Sequence, residues 1–129
     1  MKTKGSENSR KLRELCLVHA SERYGLNYPP QFVERLEHEL EIITKNNHSR
    51  TYLLAYEVTK KCRDEGIPHI VRGCAGASLV AFILGITHTN PLPPHLYCPQ
   101  CGSTEFNYNK YFSIKMLILL LSFNRYSKK

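Results

Sequence analysis

Gly25, Gly66 and Gly85 cut the first two thirds of the chain into helix-length segments, and Pro29-Pro30 opens one of them. Glycine suits the left-handed residue that closes a helix, and proline suits its first turn. Between those marks the apolar residues recur with a helical period. Residues 8–24 put Leu12, Leu15, Cys16 and His19 on one face. Residues 30–45 put Phe32, Leu36, Leu40 and Ile43 at spacings of 4, 4 and 3. The other face of that segment carries Arg35–Glu39 and Glu41–Lys45 at i,i+4, a spacing that allows ion pairs. Residues 51–65 present Tyr52, Leu53 and Tyr56, and the polar run 46–50 reads as a turn. The pattern predicts three helices in the first half of the chain.

The β signal is short. Ile67–Val71 is rich in β-branched residues and predicts a buried strand, despite Pro68 near its start. A small-residue turn follows, Arg72-Gly73-Cys74-Ala75-Gly76-Ala77-Ser78, and then an apolar helix through Leu84. From His88 to Cys101 the chain is Pro-rich and reads as irregular. The expected fold class is α/β, with α+β as the alternative: mostly helices around a short sheet.

Charge divides the chain differently. Of 18 Lys and Arg against 11 Asp and Glu, residues 1–13 hold a net +4 and residues 107–129 a net +5. Residues 14–106 carry a net −2. A pI near 9.3 suits a polyanionic partner such as nucleic acid, yet the basic character belongs to the two ends. Residues 1–10 read as a basic flexible tail and 107–129 as a separate basic and apolar one. Asp64 is the only aspartate, which argues against a site built from clustered aspartates. The five cysteines are an odd set, and the N-terminus lacks the apolar stretch of a secretory signal. Free thiols or metal ligands are therefore expected rather than disulfides. The longest apolar run, Met116–Leu121, is too short to span a bilayer, and a cytoplasmic location is expected.

Two segments carry chemistry. A strand, a glycine-containing turn and a helix in succession converge backbone N–H groups on one point, an arrangement that suits phosphate oxygens. Gly73 and Gly76 allow close approach, Arg72 can pair with phosphate in bidentate fashion, and Ser78 can donate a hydroxyl. A tight turn packed with small residues has the same pattern. The second segment is Cys98-Pro99-Gln100-Cys101, half of a zinc knuckle. Structural zinc takes about four ligands; no second Cys pair follows, and His88 and His95 are the nearest further donors. A Cys74–His69 nucleophilic pair is a weaker reading, because no residue is placed to orient the histidine.

The run Ile86-Thr87-His88-Thr89-Asn90-Pro91-Leu92-Pro93-Pro94-His95-Leu96-Tyr97-Cys98-Pro99-Gln100-Cys101 resembles the bacterial replicative DNA polymerase III alpha subunit of the PolC type. The Asn-Pro-Leu-Pro-Pro-His block running into Cys-Pro-x-Cys carries the resemblance most specifically. Upstream, Tyr24-Gly25, Arg35-Leu36, Glu39-Leu40 and Ile42-Ile43 match the approach to that family's palm. Arg72-Gly73, with Gly76, Ser78 and Val80-Ala81, sits at its Arg-Gly-Ser motif. The match covers about residues 11–106.

The resemblance implies a partial nucleotidyltransferase-type palm with half of a zinc knuckle, from an enzyme that carries out DNA-templated DNA synthesis in replication. It assigns Arg72, Gly73 and Ser78 to the triphosphate of the incoming nucleotide. It makes DNA and a deoxynucleoside triphosphate the partners, with a complementing polymerase chain as a further one. It also implies Mg²⁺ for the reaction and zinc at Cys98 and Cys101. The family's catalytic aspartates lie in a downstream Pro-Asp-Ile-Asp segment that this chain does not contain, so the chain is expected to be inactive alone. The alternatives are a non-catalytic nucleic-acid- or zinc-binding module and a non-functional truncated remnant. The chain departs from the family at Ile70-Val71, where the family has Gly-Ser, and at Cys74, where it has Ser. Bulky residues crowd a phosphate, and a thiol is a weak donor.

Overall fold

The computed structural model describes residues 4–25, 28–98 and 103–106. Helix α1 (Lys4–Tyr24) begins earlier than the apolar period suggested, so residues 4–10 are helical rather than a tail. Leu12, Cys16, Ala20 and Tyr24 are buried at intervals of four along it, while Leu15 and His19 lie at the edge of the core. Helix α2 (Pro30–Lys45) buries Phe32, Leu36, Leu40 and Ile43, the stripe read from the spacing. Helix α3 (Ser49–Asp64) buries Leu53, with Tyr52 and Tyr56 packed against the core.

After Ser78 comes a short helix, α4 (Leu79–Ile83), whose Leu79, Val80, Ala81 and Ile83 are all buried. A helix apolar all round belongs in the interior, and α4 packs against both α1 and α2, while α3 packs against α1. Three helices end alike, with an amide reaching back five residues to a carbonyl: His48 to Ile43, Ile67 to Cys62 and Ile86 to Ala81, at 2.9, 2.7 and 2.8 Å. These are the long bonds of the Schellman closure, with Asn47, Gly66 and Gly85 in the left-handed region.

The strand expected at Ile67–Val71 does not form. Those residues are irregular, and Ile70 is 91% exposed. β-branched composition favours a pleated backbone only when a neighbouring strand supplies hydrogen bonds, and no described strand lies beside this segment. The expected α/β class is corrected accordingly: the described chain is mostly helical. Its sheet is one antiparallel pair of three-residue strands, β1 (His95–Tyr97) and β2 (Thr104–Phe106), with Leu96 opposite Glu105. β1 arises within the segment read as irregular. The loop before it is tied to the helices through Asn90, whose amide donates to the Tyr24 hydroxyl at 3.3 Å. The His95 ring lies 6.1 Å from that of Tyr24.

Candidate functional site

Residues 72–78 form a turn between the irregular segment and α4, with Arg72, Gly73, Cys74 and Ala77 exposed. Gly73 has φ 82°, a conformation costly for any residue with a Cβ, and a 3-10 turn runs from Cys74 to Ala77. The Gly76 and Ser78 amides donate within the turn, to the Gly73 and Ala75 carbonyls. A Cβ on Gly73 or Gly76 would meet no described atom within 4 Å, so solvent reaches the backbone here. Arg72 is exposed and makes no hydrogen bond or ion pair with a described residue. Arg72 and Gly73 thus lie together on open surface.

Ser78 is placed differently. It is buried and caps α4: its Oγ accepts from the Ala81 amide at 3.1 Å and donates to Glu39 Oε2 at 2.8 Å. The same carboxylate oxygen accepts from the Val80 amide at 3.2 Å. Glu39 Oε1 accepts from Arg35 Nε at 2.6 Å, and Arg35 also donates to the Ala77 carbonyl at 3.3 Å. The Tyr52 hydroxyl approaches Ser78 Oγ at 3.5 Å. An α2 carboxylate, held by an α2 arginine, therefore satisfies the donors that begin α4, and α3 closes the group from the other side. The spacing showed the Arg35–Glu39 pair but not its inward turn. The available signal was Glu39's place beside Leu36, Leu40 and Ile43, next to the buried stripe.

The Cys16 thiol completes this interior on α1. Burial, and after it the negative charge of Glu39, push it from 9.0 up to about 12, so it stays protonated and unreactive at neutral pH. Cys74, by contrast, is exposed on the turn. Asp64 is the last residue of α3, exposed and without a described partner. An open depression lined by Gln31, Glu34, Arg35 and His38 lies on α2 and includes none of the turn residues.

Cys98 is a free, half-buried thiol just after β1, where its amide donates to the Ser103 carbonyl at 2.9 Å. Cys101 lies outside the described residues. His95 Nδ1 lies 2.8 Å from the Pro93 carbonyl oxygen. Among the described residues no three His, Cys, Asp or Glu side chains come together as a metal would need. Cys98 alone of the Cys98–Cys101 pair is described, and the described residues assemble no magnesium centre. No helix of the described residues is long and apolar enough to cross a membrane.

The chain's family follows from comparison with known sequences. The family model described as "Bacterial DNA polymerase III alpha NTPase domain" matches residues 10–126. A "DNA polymerase III PolC-type" of Caldanaerobacter subterraneus subsp. tengcongensis is 43% identical over 95 residues, covering 74% of this chain and 7% of that protein. Proteins of the same description from Staphylococcus haemolyticus and Staphylococcus aureus are 42% and 41% identical over the same shares. The chain thus spans about 7% of the length of these relatives. A model match across most of the chain, together with this identity, places the protein in the bacterial DNA polymerase III alpha family, on the PolC-type side.

Proposed function

We propose that this chain is a partial polymerase palm that holds the triphosphate of a deoxynucleotide for DNA-templated DNA synthesis in replication. The observation that carries the reading is the exposed Arg72, without a partner among the described residues, beside the open backbone of Gly73. A guanidinium matches phosphate oxygens in bidentate fashion, and the glycine keeps Cβ atoms out of the way. Ser78 belongs to the same turn, but its hydroxyl donates to Glu39, so its part is to hold the turn rather than to meet the phosphate directly.

The chemistry of transfer is assigned elsewhere. Two metal ions that clamp attacking and leaving oxygens need several carboxylates, and this chain has one aspartate, Asp64, on the far end of α3. The chain acts with a complementing polymerase segment on DNA in the cytoplasm, and Cys98 and Cys101 are half of a zinc site that such a segment completes. Titration of the purified chain with a deoxynucleoside triphosphate is expected to show binding that weakens at least tenfold in Arg72→Ala. Equal binding by both would overturn the assignment. Primer extension with Mg²⁺ is expected to yield no product from the chain alone.

A further inference from the structure

The segment between α3 and the 72–78 turn has the build of a strand without a neighbour. Residues 67–72 run without a turn or bend. His69 and Val71 are half-buried, Val71 against the core, while Pro68, Ile70 and Arg72 are exposed, Ile70 at 91%. That alternation is the period of a strand with one face on a core. After the Ile67 amide, which closes α3 on the Cys62 carbonyl, no backbone amide or carbonyl through Arg72 bonds to a described residue. An open row of backbone donors and acceptors is a template for a further strand.

The chain carries a segment suited to that place. Residues 116–121, Met-Leu-Ile-Leu-Leu-Leu, are an unbroken apolar run as long as the open segment. Such a run suits a strand with both faces covered. Residues 107–115 separate it from β2, and nine residues extend about 30 Å, more than the roughly 24 Å length of the 16-residue α2. We propose that residues 116–121 add to the open edge of residues 67–72 as a parallel strand, bonded through the main chain. Charge sets the direction. Lys115 just precedes the run, and in parallel register it comes beside Asp64 and Glu65, which precede the open segment; antiparallel, it would meet Arg72. Residues 73–115 connect the two segments, α4 among them, well beyond the dozen or so residues that a parallel crossover needs. The pairing is independent of nucleotide binding.

The test is amide hydrogen exchange of the full chain at several concentrations, read by mass spectrometry on peptides that carry residues 69–72. Exchange there is expected to be at least tenfold slower in the parent than in a chain carrying Leu119→Pro and Leu120→Pro. Adjacent prolines remove a donor from each edge of a strand, and the α2 amides report that the helices stay intact. Exchange in the parent as fast as in the proline chain would overturn the proposal. So would prolines that speed residues 69–72 and α2 alike, which would make the run part of the helical core. Protection that rises with chain concentration would assign the edge to a second copy of the chain and overturn the proposal as well. Lys115→Glu, which leaves the run apolar, is expected to speed exchange about twofold, and no change would refute the parallel direction.

Discussion

Removing the Glu39 carboxylate withdraws an acceptor from three donors at once: Arg35 Nε, the Ser78 hydroxyl and the Val80 amide. Hydrogen bonds to a charged group contribute more than neutral ones. Glu39→Ala is therefore expected to cost about 2–3 kcal/mol in urea unfolding, and Ser78→Ala about 1 kcal/mol as a lost helix cap. Because the two residues share a bond, the double variant should lose less than the sum; strict additivity would mean that the shared bond contributes little. Cys16 gives a pH dependence. The unfolded thiol ionises at its ordinary 9.0 while the folded one holds its proton to about 12. Its stabilising share is complete below pH 9.0 and is lost as pH rises from there toward 12. Urea midpoints across that range should fall more steeply for the parent chain than for Cys16→Ala, and parallel curves would refute the assignment. At this scale the sequence is legible only in part. An i,i+4 Arg–Glu pair on a solvated face and one that clasps a neighbouring helix have the same spacing. Only the neighbour's arrival distinguishes them.

Helices were legible as elements where burial and punctuation agree. The Phe32, Leu36, Leu40 and Ile43 stripe and the glycine stops at 66 and 85 both appear where the period places them. Ile67–Val71 does not form the expected strand because its composition is a local signal, whereas a strand exists only by pairing with another strand. The β1–β2 pair was missed for the converse reason. Prolines dominate its approach, and the two three-residue strands are too short to show alternation. Gly85 makes the sharpest prediction at this scale. It has φ 66°, and an added Cβ would stand 2.9 Å from Arg63 Nη1, whose guanidinium donates to the Gly85 carbonyl. Gly85→Ala combines left-handed strain with displacement of that arginine, and an unfolding loss of about 1–2 kcal/mol is expected. Gly85→Ala with Arg63→Ala should recover the steric part only; a Gly85→Ala chain as stable as the parent would show that the closure tolerates a side chain.

For the molecule as a whole, the question is which apolar residues form its interior when the chain spans about 7% of its relatives' length. One cluster joins all four helices. It includes Leu12, Cys16, Phe32, Leu36, Leu53, Leu79 and Ile83, with Tyr24 and Tyr28 against the Phe32 ring at centroid distances of 5.0 and 5.2 Å. That cluster anchors the 72–78 turn at its end, because α4 begins where the turn ends. Family resemblance points to the turn as a candidate but gives no sign of what supports it, since the supporting contacts are between segments far apart in the chain. Ile70 lies two residues before Arg72 and is almost fully exposed, while Val71 between them packs against the core. Phe32→Ala removes a fully buried ring and should cost about 3–5 kcal/mol, enough to unfold a chain of ordinary marginal stability. Ile70→Ser removes an apolar side chain of comparable hydrophobicity from the surface and should leave the unfolding midpoint within about 0.5 kcal/mol of the parent. Circular dichroism during urea titration of the two variants reads the contrast directly. If Ile70→Ser were the damaging one, the segment before the turn would be packed after all, and the open surface beside Arg72 would have to be withdrawn with it.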